Sequence, residues 1–132
     1  MTDLFDLDGK TALVTGASGG LGRHFALTLA KAGATVAVAA RRDDRVAGVT
    51  SEIAGAGGNA IAVSMDVGNR ESIANAFETV EQTAGPVTIL VNNAGISGRG
   101  MTLDMPEDVF DNVMETNLKG VWNVAQAAAQ RM

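Results

Sequence analysis

The chain of 132 residues contains no cysteine and no tyrosine, and only one histidine, one tryptophan and two prolines. Without cysteine there is neither a disulfide framework nor a thiolate metal site. The single histidine, His24, leaves little room for a zinc site, and no metal is expected. Without tyrosine no phenol is available to give or take a proton. Positive charge is scarce too: ten Lys and Arg stand against fifteen Asp and Glu, a formal net charge of −5. No Lys/Arg block offers a track for a phosphate backbone, so nucleic acid is not an expected partner. No apolar run approaches membrane-spanning length, and the first eight residues are acidic, the opposite of a secretory leader. The expectation is a soluble, cytoplasmic protein with no membrane partner.

Glycine is plentiful, at 16 residues, in a composition that is 46% hydrophobic and 19% charged. That suits a single globular domain over residues 1–132. The chain is organised around residues 10–33. A short apolar run, Thr11-Ala12-Leu13-Val14, reads as a buried strand. Gly16, Ala17, Ser18, Gly19, Gly20, Leu21 and Gly22 follow as a glycine-dense turn, and Phe25, Leu27, Leu29 and Ala30 then recur at helical spacing up to a C-capping Gly33. Strand, glycine turn and helix make a phosphate site. Glycine lets the chain turn sharply and brings backbone N–H groups close to a pyrophosphate, while the helix presents free donors and the positive end of its dipole. The Ser18 hydroxyl adds a donor.

Strand and helix signals keep alternating with no linker between them. Strands are expected at residues 34–40, 60–65 and 87–91. Between them lie a helix through Val46, Val49 and Ile53 and another capped by Asn69 through Ile73, Phe77 and Val80. Pro106 is expected as the first residue of a final helix carrying Phe110, Val113, Met114, Leu118, Val121, Val124 and Ala125. Continuously apolar strands alternating with helices imply an α/β fold: a doubly wound, Rossmann-like parallel sheet covered on both faces, with strand order 3-2-1-4. A ligand then sits beyond the carboxyl ends of strands 1 and 4, where the order reverses.

The glycine spacing Thr15-Gly16-xxx-Gly20-x-Gly22 resembles the first turn of the short-chain dehydrogenase/reductase family, and the resemblance extends over residues 8–132. Asp66-Val67 closes the third strand and Asn92-Asn93-Ala94-Gly95 the fourth, as in that family. The resemblance implies that Gly16, Ser18, Gly20, Leu21 and Gly22 cradle the dinucleotide, that Asp66 and the Val67 N–H hold the adenine, and that Asn93, Ala94 and Gly95 line the ribose region. Thr116-Asn117-Leu118-Lys119-Gly120 is similar to the family's helix segment whose Asn anchors a proton-relay water, a role that falls to Asn117. An acidic residue at the end of the second strand would select NAD through the ribose hydroxyls. Here Ala40 stands there, followed by Arg41 and Arg42, whose guanidinium forks match a 2′-phosphate, so NADP(H) is expected over NAD. A methyltransferase-like fold also opens on a glycine turn, but it wants an acidic residue near Ala40 and does not predict the Asn92–Gly95 tetrapeptide.

In the family a Tyr and a Lys four residues later carry the acid–base chemistry on a carbonyl or alcohol substrate. Here there is no tyrosine, the only lysines are Lys10, Lys31 and Lys119, and Glu115 stands four before Lys119. The expectation is therefore the N-terminal, cofactor-binding part of a longer oxidoreductase, inactive alone; the alternative is a non-catalytic dinucleotide-binding module or half-domain. On either reading the fourth strand presents a bare edge and the last helix an apolar face, so a homo-oligomer through one of them is expected.

Overall fold

Apolar runs and amphipathic stretches alternate along the chain, and the computed structural model, which describes residues 3–41 and 43–132, turns them into alternating strands and helices. In order these are β1 (Thr11–Thr15), α1 (Gly20–Lys31), β2 (Thr35–Ala40), α2 (Asp43–Gly55), β3 (Asn59–Ser64), α3 (Arg70–Ala84) and β4 (Val87–Val91). A long helical stretch then begins as α4 (Glu107–Met114), widens into a π-helical turn (Glu115–Gly120) and ends as α5 (Val121–Arg131). The sheet order is β3-β2-β1-β4 and every pairing is parallel. Its reversal point lies between β1 and β4, and the crevice at their carboxyl ends is where such a sheet takes its ligand.

Both faces of the central strands are covered, which is why β1 and β2 read as unbroken apolar runs rather than alternating ones. Ala12, Val14, Val36 and Val38 pack on one face with Ala26 and Ala30 of α1 and Val46, Val49 and Ile53 of α2. Leu13, Ala37 and Ala39 pack on the other with Ile73, Phe77 and Val80 of α3 and Val124 and Ala128 of α5.

The helix ends follow their sequence signals. Gly33 stands one residue beyond the C-cap of α1, at φ +105°, with its N–H donating to Ala30 O and that of Ala34 to Leu29 O, a Schellman arrangement. α2 ends the same way, with Gly57 and Gly58 donating to Ala54 O and Ile53 O. Asn69 caps α3, its side chain accepting from the Ser72 N–H. Pro106 differs from expectation: it is the N-cap of α4, with ψ at 143°, and Glu107 is the first helical residue. Its ring fixes φ but leaves ψ extended, so it serves one place earlier.

The final helix departs most from the sequence pattern. The π turn was not foreseen, and the apolar stripe it interrupts is largely open: Phe110 is 54% exposed and Leu118 62%, and Trp122, beside that stripe, is 54% exposed. Only Val124 of the expected stripe is buried. Among the described residues β4 pairs with β1 alone, so its other edge is unpaired.

Candidate dinucleotide site

Three loop tips at the carboxyl end of the sheet meet over one cavity of about 340 Å³. The first two are welded together. Thr15, at the end of β1 and 1% exposed, accepts from the backbone N–H groups of Asn93 and Ala94 through Oγ1, both at 3.0 Å. The Asn93 side chain donates in return, from Nδ2 to Thr15 O at 3.2 Å and Gly16 O at 3.1 Å. This lattice leaves no space for extra atoms. A Cβ on Gly16 would lie 2.8 Å from the Ala94 Cα, and one on Gly22 would be 2.5 Å from Asn93 Nδ2. Gly16 and Gly22 are thus required by loop-to-loop packing alone.

Gly19 and Gly20 are different, since a Cβ at either meets nothing within 4 Å. Gly19 is the N-cap of α1, makes no side-chain cap bond, and no acidic residue lies in the first turn. The start of this 12-residue helix therefore keeps open backbone donors and an uncompensated positive end. That is the environment a pyrophosphate needs.

The third tip follows β3. The Asp66 N–H donates to Ser72 Oγ at 2.9 Å, and Asp66 Oδ1 accepts from the Gly68 N–H at 2.9 Å. The carboxylate is thereby fixed through one oxygen, with no partner for the other among the described residues. Val67 is 8% exposed and its carbonyl accepts from Asn123 Nδ2 of α5 at 3.3 Å. Beyond β4, Ile96 is held from both sides by Asn117 of the π turn: its N–H donates to Asn117 Oδ1 at 2.8 Å and its carbonyl accepts from Nδ2 at 2.7 Å. Asn92 Nδ2 adds a bond to Val121 O at 3.2 Å.

Of the residues singled out in the sequence, Gly16, Ser18, Arg41, Asp66, Val67, Asn93, Ala94 and Gly95 line the cavity together. Gly20, Leu21 and Gly22 do not; they form the first turn of α1, and Leu21 is 68% exposed. Asn117 stands behind Ile96, while its neighbour Thr116 reaches the wall. Arg42 lies outside the described residues. Arg45 was missed: it lies in the first turn of α2, which begins at Asp43, and lines the cavity together with Ala40 and Arg41. Thr15, Met65 and Ile96 line it too; the sequence points to the strand ends as the ligand side but not to which residue at each end faces the cavity.

Residues 10–132 match the family described as short chain dehydrogenase. The chain belongs to that family. It is 43% identical over 115 residues to a short chain dehydrogenase of Pseudocercospora fijiensis, covering 86% of this chain and 37% of that one. It is 42% identical over 127 residues to the L-rhamnose 1-dehydrogenase (NAD(P)(+)) of Sphingomonas sp., covering 96% and 50%. A crystal structure of a short-chain type dehydrogenase/reductase from Mycobacterium marinum superposes with a TM-score of 0.96 at 45% identity, over 99% of this chain and 54% of that one. The chain thus spans about half the length of these relatives, or less.

Members of this short-chain family are dehydrogenases and reductases that use NAD(P). The residues present fit such a cofactor: Ser18, just before the open N-terminus of α1, Asp66 with its fixed carboxylate, and Arg41 and Arg45 all line the cavity. The acid–base pair of the family has no counterpart in this sequence. Lys119, the one lysine near the site's helix, pairs instead with Glu115 at 3.2 Å across a solvent-facing turn. An exposed pair of this kind contributes little. Among the described residues no group of three or more His, Cys, Asp or Glu could hold a metal, and no helix is long and apolar enough to cross a membrane.

Proposed function

We propose that this chain is the NADP(H)-binding part of a cytoplasmic oxidoreductase that moves a hydride between nicotinamide and a carbonyl or alcohol substrate. The observation that carries the reading is the convergence of Gly16 and Ser18, Asp66–Val67 and Asn93–Gly95 on one cavity that Arg41 and Arg45 also line. The open donors of α1 would hold the pyrophosphate, Asp66 and the Val67 N–H the adenine, and Asn93, Ala94 and Gly95 the nicotinamide-side ribose. Bound nicotinamide supplies or accepts the hydride. Ala40 brings no carboxylate to the ribose hydroxyls, and Arg41 brings charge and fork geometry suited to a 2′-phosphate.

Isothermal titration with NADPH and NADH tests the preference. NADPH is expected to bind the more tightly, and Arg41→Ala combined with Arg42→Ala should weaken NADPH about tenfold or more while leaving NADH nearly unchanged. Equal losses for both cofactors would refute the 2′-phosphate assignment.

The missing tyrosine favours a second reading, a non-catalytic dinucleotide-binding module. The two readings share the cofactor and differ only in whether the whole protein turns substrate over. On either, this chain alone should bind cofactor and reduce no carbonyl substrate, because proton transfer to the substrate oxygen has no phenol donor. We also propose that copies associate through the stripe of Phe110, Leu118 and Trp122 or along the open edge of β4.

A further inference from the structure

Asn123 is the one buried polar side chain whose bonding is incomplete among the described residues. It is 2% exposed, its Nδ2 donates to Val67 O, and its Oδ1 has no partner. Burying an amide with half its capacity unused is costly, and an apolar residue of similar size would avoid that cost. Stability of the core therefore does not explain why an amide stands there. What the amide does have is a single hydrogen bond, to the backbone of a loop tip that lines the cavity.

The same loop is pressed from the same helix by a second device. Gly120 packs so closely on Val67 that a Cβ would lie 2.7 Å from its Cγ2 and 3.2 Å from its Cβ. Val67 is thus located twice, by a hydrogen bond on its carbonyl and by close contact on its side chain. On its other side the loop is tied to α3 through Asp66 and Ser72.

We infer that Asn123 is a positioning residue for the adenine-side loop, setting the direction of the Val67 peptide and the Asp66 carboxylate towards the ligand. The inference rests on the dinucleotide reading of the cavity. Asn123 touches no ligand itself and acts through Val67. Its unused oxygen is the cost of holding the loop where the ligand needs it.

Titration of the chain with ADP-ribose, together with hydrogen exchange at the Val67 and Gly68 amides, tests this. In Asn123→Leu the melting temperature of the free protein should change little, since loss of the Val67 bond is offset by removal of an unpaired buried oxygen. ADP-ribose affinity should nevertheless fall by about two- to tenfold, the worth of one net hydrogen bond, with faster exchange at both amides. A purely structural role would do the reverse, lowering the melting temperature and leaving the affinity of the folded protein intact. That result would overturn the assignment. Should Asn123→Leu fail to fold, Gly120→Ala displaces Val67 from the other contact and must give the same loss; unchanged affinity in that variant also overturns it. Failure of the dinucleotide reading is separately visible, because the unsubstituted chain would then bind neither ADP-ribose nor NADPH nor NADH.

Discussion

Replacing Gly22 by Ala should unlock the junction of the first and fourth loops. The added Cβ would overlap the Gly16 carbonyl oxygen and lie 2.5 Å from Asn93 Nδ2 and 2.9 Å from Ala17 Cα. Overpacking of this kind costs about 1–3 kcal/mol. Asn93 must swing away, giving up its bonds to Thr15 O and Gly16 O, at about 1 kcal/mol each. Against this, Ala is favoured over Gly in a helix by about 1 kcal/mol. The net loss is about 2–4 kcal/mol, a large share of the roughly 5–15 kcal/mol that stabilises an ordinary domain. Gly20→Ala is the control: it meets no neighbour, and its φ of +54° sets a penalty of only about 1–2 kcal/mol. Urea denaturation of both variants reads the difference directly. If Gly22→Ala proved as stable as the parent, or Gly20→Ala the weaker of the two, the reasoning that packing demands this glycine would be wrong.

Thr15→Val should lose about 2–5 kcal/mol in the same assay, because the Asn93 and Ala94 N–H groups are left without an acceptor, and Thr15→Ser should recover most of it. Asn69→Ala removes the α3 cap and should cost about 1 kcal/mol, with no loss of cofactor affinity beyond that expected from stability. Sedimentation of the chain at micromolar concentration should show a dimer or larger species, and Leu118→Glu with Trp122→Glu should dissolve an assembly built on the last helix; a monodisperse monomer in the parent would reject the association. Asn117→Ala should free Ile96 from two hydrogen bonds and speed amide exchange at Ile96, and unchanged exchange there would show that the π turn does not hold this wall.

The strands, the helices and their order could be read from the chain because each rests on local rules: apolar runs of strand length, helical spacing, an Asn cap, glycines past helix ends. The strand order 3-2-1-4 followed from right-handed crossovers together with a reversal after the third strand, one of the two common doubly wound arrangements. Arg41, Asp66 and Asn93 were legible because they sit at strand ends next to family motifs. The π turn was not, since its wide geometry is fixed alongside contacts made far away in sequence, Asn117 on Ile96 and Gly120 on Val67. Arg45 was not, because its approach to the cavity depends on how α2 leaves the sheet. Gly22 was read as a ligand-facing glycine, and the structure adds that it is also confined by Asn93, 71 residues away. Local chemistry along the chain therefore determined what the elements are and which end of the sheet is polar and open. Which atoms face one another across that opening was decided only when loops distant in sequence were brought within hydrogen-bonding range, because hydrogen bonds and close packing depend on position in space and leave no periodic trace in the chain.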